Sequence, residues 1–173
     1  MITALVASQL VTTLRALPGW QAPDATGTGT PVFDSTEILM TETPGADYVI
    51  IGEPGDPSGS ASPGGSTSTF AAHAASGRPT EERGTITGMV VAQSGDDGIG
   101  QPRVVRDRAY AMLTIVDAAL RVGPDGPKLG IIPAMGQGQL LWARLASSSR
   151  LEIADDKGLS CEVSFIIEYL ARI

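Results

Sequence analysis

The chain has 173 residues and a formal net charge of −7, with one cysteine and one histidine. This length fits one domain, and the acidic balance argues against a nucleic-acid-binding surface, which needs basic residues to neutralise phosphates. One cysteine excludes an intramolecular disulfide, and one histidine removes most zinc sites, so we expect no metal and no cofactor. The sequence begins without a basic segment, and no apolar run approaches the ~20 residues that span a bilayer. We therefore expect neither a classical export signal nor a membrane span.

The first element is predicted to be an amphipathic helix that ends at Pro18-Gly19. Its apolar residues recur at the helical period and form one stripe. The segment from Trp20 to about Pro31 is rich in Thr and Gly, so we interpret it as an exposed loop. The stripe consists of Ile2, Leu5, Val6, Leu10, Leu14 and Leu17.

The next part of the chain predicts two extended segments and a long insertion. Val32–Thr41 is the weaker segment, whereas Tyr48–Gly52 is a continuous apolar run typical of a central, well-covered strand. Pro44-Gly45 between them suits a turn. Residues at about 53–67 are mainly Gly, Ser and Pro, which predicts a flexible insertion within a single domain that spans residues 1–173.

A strand and the strongest helix of the sequence follow the insertion. A short strand is predicted around Phe70, and Thr85–Ala92 is predicted to be a longer one. Arg103–Arg121 carries an apolar stripe at the helical period. Arg103, Arg106 and Arg108 form a basic cluster near its start. This cluster fits either a solvated face paired with Asp107 or a contact with an acidic partner surface.

The C-terminal region predicts a long β-hairpin. Gln139–Ile153 and Leu159–Leu170 are extended segments, and Asp155–Gly158 is a turn between them. Odd positions of the second segment are apolar, as in a half-buried strand. After Phe165 two even positions, Ile166 and Leu170, are apolar as well. A strand that is apolar on both faces needs two covers, so we expect a neighbouring subunit to contact these residues.

Together these elements predict an α+β fold. We expect an antiparallel β-sheet of about four to five strands, two α-helices packed on one of its faces, and the long C-terminal hairpin. The sequence contains no phosphate loop, no nucleophile elbow and no dinucleotide-binding fingerprint. His73 lies beside the insertion, where a catalytic group would be poorly held. We therefore expect no enzyme activity.

Several segments resemble the tail terminator proteins of siphophages. The helix from Arg106 to Arg121 resembles the second helix of that family, and the segments around it match the family's turns and strands. The resemblance covers most of the chain outside 52–66. The matching segments are Phe70, Glu81–Gly84, Val91–Asp96, Leu129-Gly130, Leu141–Leu145, Asp156–Gly158, Val163–Phe165 and Ala171-Arg172.

This resemblance implies a structural protein of the virion, assembled in the host cytoplasm and placed at the junction of tail and head. Such proteins form a hexameric ring that caps the tail tube, stops its polymerisation and contacts the head connector. Their partners would be further copies of the chain, the major tail tube protein and a connector or stopper protein. DNA would pass through the opening without specific binding. Two alternatives stay open: a head-completion or connector-adaptor protein of the same neck, and a small ligand-binding or enzymatic α+β domain.

Overall fold

The computed structural model describes residues 2–22, 29–34, 47–52, 67–71, 81–95, 101–121, 139–155 and 158–172. Within these ranges the chain forms two α-helices and seven β-strands. In chain order they are α1 (Ile2–Arg15), β1 (Trp20–Gln21), β2 (Thr30–Asp34), β3 (Tyr48–Ile51), β4 (Thr67–Ala71), β5 (Glu81–Ser94), α2 (Gln101–Arg121), β6 (Gln139–Asp155) and β7 (Gly158–Arg172).

The strands form one mixed sheet with the order β1-β2-β3-β5-β7-β6, and β4 pairs with the first part of β5. The α+β class and the long C-terminal hairpin are confirmed. The sheet is larger than the four to five strands expected, and β1–β2 and β2–β3 are parallel pairs. A parallel pair needs a connection of about a dozen residues or more, which segment 35–46 provides between β2 and β3. The turn predicted at Pro44-Gly45 lies outside the described residues.

Both helices pack on one face of the sheet, as predicted. Each helix buries its apolar stripe, because residues three and four positions apart share one side of a helix. In α1 the buried residues are Val6, Leu10, Val11 and Leu14, and in α2 they are Val105, Ala109, Met112, Leu113, Val116, Ala119 and Leu120. The alternate residues of β7 that face the helices, from Cys161 to Ala171, are buried as well. We call this side of the sheet the inner face and the opposite side the outer face.

Trp20 departs from the sequence-based expectation of an exposed loop. It begins β1, is only 8% exposed and belongs to the main core. Leu17 O accepts a hydrogen bond from Trp20 N at 3.1 Å, and Gly19 has a φ of 83°, a value that glycine adopts without strain. The tight turn after α1 thereby returns a large apolar ring to the core, where its burial is favourable.

Two glycines of β5 make room for two aromatic rings of β7. Gly84 pairs with Tyr169, and Gly88 pairs with Phe165. A Cβ atom at Gly84 would overlap the Tyr169 ring, and one at Gly88 would overlap the Phe165 ring. Since the glycines and the rings are both spaced by four residues, the antiparallel register brings each ring over a position without a side chain. This match favours one register of the two longest central strands.

The C-terminal hairpin is the longest feature of the sheet. Its ladder extends to the pair Asp155–Gly158, so the predicted turn is confirmed at its two ends, while residues 156 and 157 are outside the described ranges. Two irregularities interrupt the β6 register, one between Leu140 and Trp142 and one between Leu145 and Ser147. β-Bulges of this kind increase the twist of a strand.

The predicted flexible insertion lies almost wholly in residues 53–66, outside the described ranges. The strand predicted around Phe70 is β4, which begins at Thr67. The single domain over residues 1–173 stays a prediction. Neither described helix has the length and apolar character needed to cross a bilayer.

Candidate interaction surface

The outer face of β5, β7 and β6 carries two of the predicted contact residues, Ile166 and Leu170. Cross-strand pairing arranges its side chains in rows that run across the three strands. Thr87, Ile166 and Ser147 form the central row. The rows on one side are Thr85–Glu168–Arg144 and Arg83–Leu170–Trp142, and those on the other are Met89–Ser164–Ser149 and Val91–Glu162–Leu151.

Large apolar side chains on this face are accessible to solvent. Ile166 is 38% exposed and Leu151 is 56% exposed, whereas Ile167, the inner-face neighbour of Ile166, is fully buried. Leu170 and Trp142 are partly buried. The predicted change in β7, from one apolar face to two, therefore corresponds to a real surface that a single subunit leaves uncovered. Whether a neighbouring subunit contacts Ile166 and Leu170 stays a prediction.

An aromatic and charged cluster lies at one end of the outer face. The Arg144 guanidinium lies 5.2 Å from the centre of the Trp142 ring, within the range of a cation–π contact. Arg144 also donates to Glu168 Oε2 from Nη2 at 2.9 Å and from Nε at 3.3 Å. Together with Arg83 these side chains line a concavity of about 280 Å³. Its mixture of apolar, cationic and anionic groups is typical of a protein contact surface.

β6 provides a second feature suited to protein contacts. Among the described strands it pairs only with β7, so one edge of this 17-residue strand carries backbone groups without a strand partner. The side chains of residues 146–152 are all exposed. A long open edge is a site where another extended chain can add by backbone hydrogen bonding.

The structure separates the three arginines predicted as a cluster. The side chain of Arg103 is 80% exposed and lies 3.5 Å from Asp107. Arg106 reaches Asp107 and Glu152, each at 4.0 Å, so it lies between α2 and β6. Both side chains stay available to a partner, and their role in a contact stays a prediction.

Arg108 points to the opposite side of α2. Its Nη2 lies 2.6 Å from Asp47 Oδ1 and also donates to Gln93 O, while Asp47 Oδ1 accepts a further bond from Gln93 N at 3.0 Å. The guanidinium therefore joins α2 to the ends of β3 and β5. A salt bridge between residues so far apart in the chain was not visible from the sequence, since Asp47 follows a polar segment.

Two side chains with raised pKa values, Tyr48 and Cys161, lie near the Val91–Glu162 row, at the end of the sheet away from Trp142 and Arg144. Burial raises the pKa of Tyr48, and the carboxylate of Glu162 raises it further. Tyr48 packs edge-on against Phe33, with ring centres 5.9 Å apart, in a small buried cluster on the outer face. Burial also raises the pKa of the Cys161 thiol, with a further contribution from Glu152. A raised pKa disfavours the thiolate, and Cys161 is 1% exposed and belongs to the main core.

A buried carboxyl group, Glu82, was missed by the sequence reasoning. Glu82 is fully buried on the inner face, and Tyr169 Oη donates to its Oε1 at 2.8 Å. Its neighbour Glu81 points the other way and lies 3.8 Å from Arg172. The period of two along β5 was the available signal, because Glu82 shares its phase with Ile86 and Val90.

Replacing Tyr169 with phenylalanine is expected to destabilise the subunit by about 1–3 kcal/mol, because the change removes a hydrogen-bond donor from a buried carboxyl group. The free energy of unfolding in urea measures the effect. Tyr110→Phe is the matched control, since Tyr110 is 40% exposed on α2 and its change is expected to be nearly neutral. Equal stability of Y169F and the wild type would contradict a role for this hydrogen bond.

The described residues do not assemble a recognisable reaction centre. They contain no group of three or more His, Cys, Asp or Glu side chains placed to hold a metal ion. Glu81 and Glu82 diverge to opposite faces, and His73 lies outside the described ranges. The features of this part of the chain that are suited to protein contacts are the outer face and the β6 edge.

Comparison with known proteins shows a likeness in fold to a solved structure. No family model matches the chain, and no curated protein matches it. A chain in the solved structure of the virion of a native gene transfer agent particle superposes with a TM-score of 0.54. The likeness covers 99% of this chain and 98% of that one, at 16% sequence identity. The two share a fold. Because the likeness covers nearly the whole of both chains, the shared fold includes the C-terminal hairpin.

Proposed function

We propose that this protein is a structural component of a phage-like virion that forms a ring at the end of the tail tube. The observation that carries the proposal is the fold shared over nearly the whole length of both chains with a virion component. The residue patterns that resemble siphophage tail terminators fall on described elements of that fold, chiefly α2, β6 and β7. In this role the ring stops tail polymerisation and presents a surface to the head connector.

The surface chemistry is consistent with a protein that works through copies of itself. Each subunit has an open strand edge on β6 and an outer face on which Ile166 and Leu170 are incompletely covered. Contacts that join different surfaces of identical subunits generate a ring when the rotation closes. We propose six subunits, as in the family that the sequence resembles. Ile166 and Leu170 would lie in the contact between neighbours.

The net charge fits the passage of DNA through such a ring. At −7 per chain, a ring of identical subunits would repel a polyanion rather than bind it. The major tail tube protein would contact one side of the ring and a connector or stopper protein the other. Arg103, which is exposed on α2, and Arg106, which is partly exposed, are the candidates for contact with an acidic surface on one of these partners.

Electron microscopy of negatively stained protein tests this proposal directly. We expect the purified protein to form rings, and to cap isolated tail tubes so that they no longer extend when tube protein is added. A subunit that neither forms rings nor changes the growth of tubes would contradict the proposal. Binding to DNA-filled heads without binding to tubes would instead identify a head-completion adaptor.

A further inference from the structure

Each charged side chain that the structure describes has an ion-pair or hydrogen-bond partner within the subunit, with two exceptions on the outer face. Arg83 is the exposed arginine for which the described part of the chain provides no ion-pair or hydrogen-bond partner; the others each have one. Glu162 is the corresponding carboxylate among the described acidic side chains. Both residues lie on the outer face, Arg83 on β5 and Glu162 on β7.

These two charges cannot meet within one subunit. Arg83 pairs across the strands with Leu170, whereas Glu162 pairs with Val91. The two rows are therefore separated by eight residues of strand, or roughly 27 Å at the usual rise. A side-chain ion pair needs an approach of about 4 Å. Any direct partner for either charge among the described residues must belong to another molecule.

The neighbours of the two charges are complementary as well. Arg83 shares its row with Leu170 and Trp142, beside the concavity of about 280 Å³. Glu162 pairs directly with Leu151, which is the most exposed large apolar side chain among the described residues. One row therefore offers a cation with a leucine and a tryptophan beside a concavity of mixed polarity, and the other offers an anion next to a projecting apolar side chain.

We propose that the Arg83–Leu170–Trp142 row of one copy of this protein receives the Glu162–Leu151 row of a second copy. In this contact Arg83 pairs with Glu162 of the neighbour, and Leu151 of the neighbour packs on Leu170 and Trp142. The contact joins two different patches, so each subunit keeps one patch of each kind for a further neighbour. Such an arrangement can close into a ring. The inference deepens the proposed function by naming the residues that join the subunits.

The alternative occupants fit the two rows less well. An acidic peptide from another protein would pair with Arg83 but would leave Glu162 and Leu151 uncovered. A nucleic acid would be attracted by Arg83 and Arg144 but repelled by Glu162 and Glu168, which lie on the same face. One further copy at each of the two rows would pair both charges and cover both apolar surfaces.

Charge exchange tests the pairing. The association of the wild type, Arg83→Glu, Glu162→Arg and the double variant would be measured by sedimentation velocity over a range of protein concentrations. Each single change places like charges against each other, so we expect it to weaken association about tenfold or more. The double change restores an opposite pair, so we expect association within about threefold of the wild type.

The matched control is Arg121→Glu. Arg121 lies in the last turn of α2, in the layer on the opposite side of the sheet, and its side chain is 73% exposed. Its change alters the net charge as much as Arg83→Glu does. We expect R121E to associate like the wild type. Circular dichroism confirms that each variant is folded.

Three results would overturn the inference: a wild type that stays monomeric at all concentrations, single variants that associate like the wild type, or a double variant as weak as the single ones. Capping of tail tubes is measured separately on the same proteins. If the wild type caps tubes but the charge exchange leaves association unchanged, the pairing is refuted and the proposed function stands. If association follows the charge exchange but the wild type does not cap tubes, the proposed function is refuted and the pairing stands.

Discussion

Gly88→Ala is expected to destabilise the subunit by about 2–3 kcal/mol, because the added methyl group has no space in the core. A Cβ atom at this position would overlap the Phe165 ring and lie 2.8 Å from the carbonyl oxygen of Ile50. The ring belongs to β7 and the carbonyl to β3, so neither can move without disturbing a neighbouring strand. Such a loss is a large part of the 5–15 kcal/mol that typically separates folded from unfolded protein.

Urea denaturation of four variants, G88A, G95A, F165L and G88A combined with F165L, separates this clash from other effects. Gly95→Ala is the matched control, since a Cβ atom there would meet nothing within 4 Å, and its stability is expected to stay within about 0.5 kcal/mol of the wild type. Phe165→Leu removes the ring itself. If the ring is the obstacle, G88A should cost less in the F165L background than in the wild type. Equal costs in the two backgrounds would contradict the register that pairs Gly88 with Phe165.

The sequence predicted the elements whose signal is local. The stripe of α2 and the alternation of β7 depend on residues a few positions apart, and both elements were placed close to their observed bounds. The parallel pairing of β2 with β3 depends instead on how the chain crosses between them, and no local pattern records that path. Trp20 was placed in a loop because two residues are too few to show a strand period.

The candidate surface was predictable only in part for the same reason. Ile166 and Leu170 break the alternation of their own strand, so the sequence alone marked them. Arg83 and Trp142 are brought next to Leu170 only by cross-strand pairing with β7. The pairing of β5 with β7 joins segments more than fifty residues apart in the chain. Two bulges in β6 also shift its phase, so that its inward and outward positions could not be assigned by counting from either end.

Ile166→Glu is expected to leave the subunit folded and to abolish ring formation. Ile166 is 38% exposed in the subunit, so its replacement can keep the new carboxylate in water. In a contact between subunits the same carboxylate would be buried in the central row, between Thr87 and Ser147, without a cation in that row. Burial of an unpaired charge costs several kcal/mol, repeated at every contact of the ring.

Light scattering and electron microscopy of I166E measure this effect, with thermal unfolding as the check on the fold. Ala111→Glu is the matched control, because it adds the same charge at an exposed position of α2, in the layer on the opposite side of the sheet. We expect A111E to form rings and I166E to remain monomeric with a similar melting temperature. Rings formed by I166E would show that the outer face is not covered on assembly. The apolar side chains of that face would then require another explanation, and the β6 edge would be left as the surface through which copies join.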